Sequence, residues 1–487
     1  MDRIELAPAA AEQTGGAQYD KTKPTDGGEL QHQVLESDQD DEAGPSKRRD
    51  GVVIDAVWGE IDDSGPNYRN LGWIRATVLE VKLQIGLGIL GLPVAFSTLG
   101  YVPGVICIVL IGSIMMWTGY VVGAFKVRHP EIYTVADVGQ LIWGPIGREV
   151  LGFIFWIETV ATAGAMLLSI STAFNAITAH AACTVVWAVI GAILVGLVSS
   201  IQTLDRVAWL GWIGLVSIMS SVIILMVAVG VNGRPSIAPI DFVIETKAFG
   251  NPSFLEAMQS VAVIVFAYAG IPNFFTIIGE MKKPQDYPYS VIACQTFVTC
   301  IYVIVACVVY HFAGQYVASP ALGTAGSLIK RVCYGIALPS LIVGGMLFAH
   351  TGAKYAFVRI LRKSRHLARN TPTHYLVWYG TVGATVAIAF IIAESIPVFN
   401  DLLSIIGSLL ATNVTIQLQT YMWMWDHWRD ERTTKWKWMM VMNALIFCGG
   451  VLIMVCGTIS SIKTIHHSLQ VGSTTQPFGC ADNSGGV

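Results

Sequence analysis

The chain has 487 residues, of which 53% are hydrophobic and 13% are charged, and its formal net charge is −3. A mean hydropathy of +0.58 excludes a soluble globular protein with an ordinary charged surface, and the slightly negative balance gives no reason to expect a nucleic-acid partner. We therefore predict an all-α polytopic membrane protein.

The first 68 residues differ from the rest of the chain. They are polar, rich in Asp, Glu, Gln and Gly, and they lack the apolar core of a signal peptide. We expect residues 1–68 to form a disordered cytoplasmic tail. A basic run at 46–50 suits contact with anionic membrane lipid, although so short a run is more often simply solvated.

Apolar segments long enough to cross a membrane follow the tail, since a spanning helix needs about 20 apolar residues. We identify about eleven spans, which lie at 74–97, 101–124, 149–175, 184–202, 207–231, 253–279, 289–313, 335–358, 375–394, 397–424 and 438–462. Lys and Arg collect in the connections that are cytoplasmic if the N-terminus is inside. The sequence thus predicts a transmembrane domain at 69–465 and a short extracellular tail at 466–487.

The first span is interrupted where a membrane helix should be most regular. It contains Gly86, Gly88, Gly91 and Pro93, and Gly86 and Gly88 lie about 18–21 Å inside a hydrocarbon core about 30 Å thick. Unwound backbone survives at that depth only where it lines a cavity that a polar ligand or ion fills. Close packing of helices at glycine is the alternative explanation.

The sixth span has a second interruption, at 266–273, at a matching depth of about 18 Å. Helix packing alone does not require this correspondence. Two broken helices five spans apart are typical of a 5+5 inverted repeat, and the eleventh span is then one extra helix. In such a site exposed N–H groups hold an anion and free carbonyl groups hold a cation, so a zwitterionic amino acid suits it.

Three motifs carry a family resemblance. Residues 86–96 match the pattern GxGxLxLPxAF, residues 266–274 read FAYAGIPNF, and residues 280–284 read EMKKP. Over about residues 70–465 the chain resembles the amino acid/auxin permease family of the amino-acid/polyamine/organocation superfamily. Within it, the chain looks most like the fungal neutral amino-acid permeases of the methyltryptophan-resistance type. The resemblance implies an eleven-helix, proton-coupled importer of neutral amino acids.

The resemblance also implies a substrate site on the backbone of the two interruptions. The first interruption would bind the substrate carboxylate through N–H groups, and the second would bind the ammonium group through carbonyl groups. The residues so implied are Gly86, Leu87, Gly88, Phe266, Ala267, Tyr268 and Gly270. Tyr268 either lines the pocket or is a core residue with a satisfied hydroxyl.

Titratable residues inside membrane spans are costly and are therefore functional candidates. Lys82 and Glu158 lie about 12 Å inside their spans, and His350 lies about 13 Å inside the eighth. Sodium-coupled relatives place an Asn at the position of Lys82, so the resemblance implies that its ammonium replaces sodium between the first and eighth helices, beside Thr351.

We therefore expect proton coupling through Lys82, Glu158, His350 and Thr351. A pair between Lys82 and Glu158 is one way in which proton occupancy could follow the transport cycle. The alternatives are a permanent Lys82–Glu158 bridge that only orders the helices, and a His350 that only hydrogen-bonds between helices.

The nine cysteines include no CxxC pair and most lie in apolar spans, so we expect no metal site. Cys183, Cys333 and Cys480 are predicted to be external, where a disulfide can form, but the sequence does not say which two would pair. P-loop, HExxH and GxSxG motifs are absent. We expect neither an enzyme nor a cofactor.

The sequence thus predicts a secondary active transporter that imports neutral amino acids together with protons at the plasma membrane. No address motif separates this from a vacuolar amino-acid transporter. An amino-acid sensor without net transport is a further alternative, but it would need a folded or motif-rich tail. An ion channel should instead show repeated polar pore faces.

Overall fold

The computed structural model describes residues 48–49, 52–55, 59–61, 71–201, 208–232, 235, 238–239, 241–361, 364, 366, 371–470 and 476–484. Nearly all of them are helical, which confirms the predicted fold class. Within the predicted tail, three short strands pair as an antiparallel sheet: β1 (Arg48–Arg49), β2 (Val52–Asp55) and β3 (Gly59–Ile61). The rest of 1–68, including the side chains of the basic run at 46–50, lies outside the described residues.

Fourteen helices make up the described part of the membrane domain. They are α1 (Trp73–Gln84), α2 (Gly88–Leu99), α3 (Tyr101–Arg128), α4 (Val135–Thr178), α5 (Thr184–Ser199), α6 (Ala208–Asn232), α7 (Phe254–Ala267), α8 (Phe274–Gly279), α9 (Tyr287–Ala313), α10 (Ser327–Ile360), α11 (Pro372–Ser395), α12 (Phe399–Ile405), α13 (Leu418–Asp426) and α14 (Thr434–Gln470).

Among the described residues, nine helical segments are long and apolar enough to cross a membrane, and the bent pair α1–α2 makes a tenth. Helix α5 is apolar but has only 16 residues, and counting it gives the eleven predicted spans. We number them in chain order. Span 1 is α1 with α2, spans 2–5 are α3–α6, span 6 is α7 with α8, spans 7–9 are α9–α11, span 10 runs from α12 to α13, and span 11 is α14.

Span 3 begins earlier than the sequence predicts, at Val135 and not at 149. Its first turn is capped by Asp137, whose carboxylate accepts a hydrogen bond of 2.9 Å from the backbone N–H of Thr134. Gly144, with φ of 68° and followed by Pro145, then bends the chain. Because only glycine adopts that φ without strain, a short helical segment precedes the membrane-crossing part of α4.

Spans 3 and 8 pack against each other along their length through small residues. A Cβ added at Gly152 of α4 would meet the Tyr355 side chain, and one added at Gly352 of α10 would lie 3.2 Å from Thr159 Oγ1. Such close approach is how membrane helices associate in the absence of a hydrophobic driving force. We call spans 3 and 8 the paired frame.

A disulfide between Cys183 and Cys480 fixes the end of the chain to the connection between spans 3 and 4. Cys333, the third cysteine predicted to be external, is a buried free thiol. We call residues 476–484 the C-terminal strap. Its polar contacts with spans 3, 4 and 8 are Asn175 Nδ2 to Asn483 Oδ1 (2.8 Å), Asn483 Nδ2 to Ser171 Oγ (3.3 Å), Thr184 Oγ1 to Ala481 O (2.6 Å) and Lys330 Nζ to Ser484 O (3.1 Å).

Candidate functional site

Span 1 is broken at the predicted glycines. Helix α1 ends at Gln84, α2 begins at Gly88, and the two axes differ by 54°. Ile85 adopts an extended conformation with ψ of 98°. Among the described residues, the N–H groups of Gly86 and Leu87 donate no backbone hydrogen bond. Two backbone donors are therefore free at the break.

Span 6 is also broken where the sequence predicts it. Helix α7 ends at Ala267. The N–H group of Ala269 then donates a hydrogen bond of 3.0 Å to the carbonyl oxygen of Phe266, and a 3₁₀ turn follows at Ile271–Asn273. The helix resumes at Phe274. The carbonyl group of Ala267 accepts no backbone hydrogen bond outside the helix among the described residues, so it is an acceptor for other groups.

The two breaks touch each other. A Cβ added at Gly88 would collide with the backbone of Ala267, and one added at Gly270 would lie 3.1 Å from Gln84 Cγ and 3.0 Å from Leu83 Cβ. Glycine is required at position 88, where the backbones themselves are in contact, whereas a Cβ at position 270 would be in tight contact mainly with side-chain atoms. The structure thus brings the residues of the two interruptions together at one place.

Tyr302 of span 7 joins the two breaks. Its hydroxyl lies 2.9 Å from the carbonyl oxygen of Gln84 in span 1 and 2.7 Å from that of Ala267 in span 6. The side chain is fully buried. Sequence reasoning missed Tyr302, because one tyrosine in an apolar span gives no sign of which neighbour it faces.

Tyr268 is placed as a core residue. Its hydroxyl lies 3.0 Å from Thr299 Oγ1 on span 7 and 3.4 Å from the carbonyl oxygen of Ile108 on span 2, and its ring packs edge-to-face on Tyr302. The hydroxyl of Tyr268 is thus satisfied by protein groups in this structure. Its neighbour Phe266 is buried against Gly407 of span 10.

Lys82 extends from span 1 into the space between spans 5 and 8. Its ammonium donates a hydrogen bond of 3.0 Å to Ser340 Oγ on span 8, and a Cβ added at Gly214 of span 5 would lie 2.7 Å from Lys82 Cε. The residue is 4% exposed. A buried ammonium thus has one hydroxyl acceptor in this structure.

The predicted pair between Lys82 and Glu158 is not formed, and Thr351 is not the neighbour of Lys82. Neither carboxylate oxygen of Glu158 has a hydrogen-bond partner among the described residues. Thr159, which follows Glu158, packs against Gly352, and Gly352 lies twelve residues from Ser340, or about 18 Å along α10. The two charged groups therefore belong to different levels of the helices, and Thr351 bonds instead to Leu347 O at 2.8 Å.

His350 faces away from the breaks. Its Nδ1 lies 3.2 Å from the carbonyl oxygen of Ser199 on span 4, and its ring packs edge-to-face on Trp378 of span 9. Nε2 is buried without a partner among the described residues. This placement matches the cross-helix hydrogen bond that was the alternative to proton coupling.

A cavity of about 510 Å³ lies between the ends of spans 1, 6 and 10. Asp401, which lines it, accepts a hydrogen bond of 2.8 Å from Gln259 Nε2. Two of its lining residues also pack on span 1, since a Cβ added at Gly91 would lie 2.9 Å from Val263 and 3.2 Å from Asn400 Oδ1. The cavity has the size of a small-molecule site. Gly91 lies about one helical turn from Gly88, where α2 begins.

A sequence profile described as transmembrane amino acid transporter protein matches residues 69–463. The chain belongs to this family. It is an integral membrane protein of the amino acid/auxin permease type, as its motifs predicted, and its family members are transporters and not enzymes. The match covers the whole of the described membrane domain except the last helical turns and the strap.

Individual relatives cover nearly the full length of this transporter. It is 36% identical to a transmembrane transporter of Fusarium pseudograminearum over 87% of this chain and 90% of the relative. It is 33% identical to the N amino acid transport system protein of Neurospora crassa over 91% and 95% of the two chains. It is 24% identical to amino acid transporter AVT1C of Arabidopsis thaliana over 87% of this chain and 75% of the relative.

Proposed function

We propose that this transporter imports neutral amino acids by proton symport across the plasma membrane. The observation that carries the proposal is the contact between the two breaks. It places the free N–H groups of Gly86 and Leu87 close to the Gln84 and Ala267 carbonyl oxygens that share the Tyr302 hydroxyl. Backbone donors suit the α-carboxylate of an amino acid, and backbone acceptors suit its ammonium group.

The backbone character of this site favours neutral substrates. Peptide N–H and C=O groups carry partial charges that match the two charged groups of the zwitterion, and they add no net charge. A substrate with an additional charge on its side chain would have to bury that charge without a counter-ion from the breaks, at a cost of several kcal/mol. The printed name of the Neurospora relative supports amino acids as the substrate class.

Two separate buried groups support coupling to protons. The Lys82 ammonium lies between spans 1, 5 and 8, where it supplies a fixed positive charge in place of a bound sodium ion. Glu158, which is buried with both oxygens unpartnered among the described residues, is the proposed proton carrier. A carboxyl group without protein partners exchanges its proton when one side of the transporter opens to water.

The C-terminal strap supports the proposed orientation. A disulfide persists in an oxidising environment, which favours the exterior for Cys183 and Cys480 and the cytoplasm for the N-terminus after eleven spans. With this orientation, the cavity beside Asp401 is an entrance from outside. It is lined by the end of span 1 and by the connections between spans 5 and 6 and between spans 9 and 10, which then all lie on the external side. Import then runs from this cavity to the breaks.

The test is uptake of labelled L-alanine, L-leucine and L-phenylalanine into proteoliposomes that contain the full-length protein. An inward proton gradient is compared with an inward sodium gradient, each with and without an uncoupler, and protein-free liposomes serve as the control. We expect accumulation with the proton gradient that the uncoupler abolishes. Accumulation driven only by sodium, or binding without accumulation, would contradict the proposal.

A further inference from the structure

Met166 of span 3 fills a space that three glycines leave open. A Cβ added at Gly86 would lie 3.4 Å from its Cε, and one added at Gly344 of span 8 would lie 2.6 Å from Cε and 3.0 Å from Sδ. A Cβ at Gly345 would lie 3.4 Å from Met166 Cβ. The side chain is 4% exposed, so the thioether sits between the break in span 1 and span 8.

Close packing of helices explains only part of this arrangement. Gly344 and Gly345 lie within a regular helix, where small residues commonly admit a neighbouring side chain. Gly86 lies outside a helix, and its N–H has no backbone partner among the described residues. The end of the Met166 side chain is therefore next to a free backbone donor and not only next to another helix.

Methionine suits a position that must change its shape. It is unbranched, has three flexible side-chain torsions and packs in irregular spaces with little loss of energy. Here the Cε atom lies beside glycine positions on two different spans, so no Cβ at either of these positions restricts its direction. The thioether already lies against Gly344, in space on the span 8 side that a side chain at this position would remove.

We infer that Met166 sets the size limit for the substrate side chain. The inference rests on the proposed function, since it places the substrate carboxylate at Gly86. A small substrate side chain leaves the thioether where it lies, whereas a larger one needs the space that Met166 Cε occupies beside Gly86. Met166 is then a specificity-determining residue, and the missing side chain at Gly344 is what lets its thioether lie against span 8 and not closer to the break.

The test compares uptake of L-alanine, L-leucine, L-phenylalanine and L-tryptophan by the wild type and three variants in proteoliposomes. Met166→Ala should raise the kcat/KM ratio of phenylalanine to alanine by about tenfold or more, because each methylene of pocket space changes discrimination by about 10- to 200-fold. Met166→Leu, which nearly conserves volume, should change the ratio by less than about threefold.

Gly344→Ala gives a change of opposite sign. Its new methyl group would press on Met166 Cε and push it toward Gly86, so the ratio of phenylalanine to alanine uptake should fall. This second variant keeps the inference testable if Met166→Ala folds poorly, which a thermal melt in detergent would reveal. Equal changes for all four substrates in both variants would overturn the role in specificity and leave a packing role only.

The outcome also separates this inference from the proposed function. If the wild type accumulates none of the four amino acids, the proposed function is wrong and the inference fails with it. If the wild type accumulates them and the two variants leave the ratio unchanged, only the inference fails.

Discussion

Tyr302 has one hydroxyl hydrogen, yet two carbonyl oxygens lie within hydrogen-bond distance of its oxygen. It donates to one of them at a time, so either Gln84 O or Ala267 O always lacks this donor. A substrate ammonium group can supply the missing hydrogen bond. We therefore propose that Tyr302 is a positioning residue, which holds the two breaks together and leaves one acceptor for the substrate.

Replacing Tyr302 with Phe should raise the KM for neutral amino acids by about 3- to 10-fold, the equivalent of about one hydrogen bond. The substitution removes the link between the breaks while it keeps the ring. Tyr334→Phe is the matched control, because Tyr334 is equally buried and its hydroxyl has no partner among the described residues. Radiolabelled uptake measures both, and an equal effect of the two substitutions would contradict the positioning role.

Lys82 offers a direct test of ion coupling. The Lys82→Asn variant removes the fixed ammonium between spans 1, 5 and 8 and puts a neutral amide with an oxygen acceptor on span 1 at this position. We expect uptake to gain a stimulation by sodium of about 5-fold or more, the lower end of typical coupling between sites, and its stimulation by a proton gradient to weaken while Glu158 remains in place. Ser340→Ala, which keeps the charge, should retain proton dependence. Unchanged pH dependence and no sodium response in Lys82→Asn would refute the coupling role.

At the scale of elements, the contact between the breaks depends on Gly88. A Cβ at this position would meet the backbone of Ala267, which cannot rotate away as a side chain can. The α1–α2 break and the α7–α8 break would then have to separate. Because the proposed site is built from both, a small change here affects substrate binding without altering any side chain in it.

Gly88→Ala should lower uptake by about 10-fold or more, since a misplacement of about 1 Å in a binding geometry has effects of this order. Gly196→Ala in span 4 is the control, because its added Cβ would be in ordinary contact, 3.9 Å from Val386. Uptake and a thermal melt are measured for both variants. Retention of full activity by Gly88→Ala would show that the breaks need not touch.

The C-terminal strap is the other element whose role can be tested alone. Its disulfide closes a loop of 297 residues, and its polar contacts reach spans 3, 4 and 8. Cys480→Ser should lower the free energy of unfolding by about 2–4 kcal/mol, as for other disulfides. Cys300→Ser, at an exposed free cysteine, is the control. Equal melting temperatures for the two variants would contradict a structural role for the strap.

The breaks were predictable and the partners of the charged residues were not, for a physical reason. Gly86, Gly88 and the segment 266–273 are unusual at their depth, and depth follows from counting residues along a helix. Depth along a helix does not determine the direction in which a side chain points around the helix axis. Lys82 and Glu158 were expected to meet because their depths are similar. In the structure Lys82 faces spans 5 and 8 near Ser340, whereas Glu158 lies at the level of Gly352.

At the scale of the whole molecule, two groups of helices can be distinguished. Spans 3 and 8 form the paired frame, and the broken spans 1 and 6 touch each other. The frame carries Glu158, Met166 and Ser340, whereas the broken spans carry the free backbone groups. In the import cycle that we propose, movement of the broken spans against the paired frame exposes the site first to the cavity beside Asp401 and then to the opposite side. The break positions predict a 5+5 repeat, in which the two halves share one fold. Opening toward one side and opening toward the other would then be similar movements of the helices.

The most direct test of the binding site is an experimental structure of the full-length transporter at saturating L-leucine. We predict density for the amino acid between the two breaks, with its carboxylate about 3 Å from the N–H groups of Gly86 and Leu87 and its ammonium group at a similar distance from Gln84 O or Ala267 O. Density in the cavity beside Asp401 alone, with the two breaks unoccupied, would contradict the proposed site.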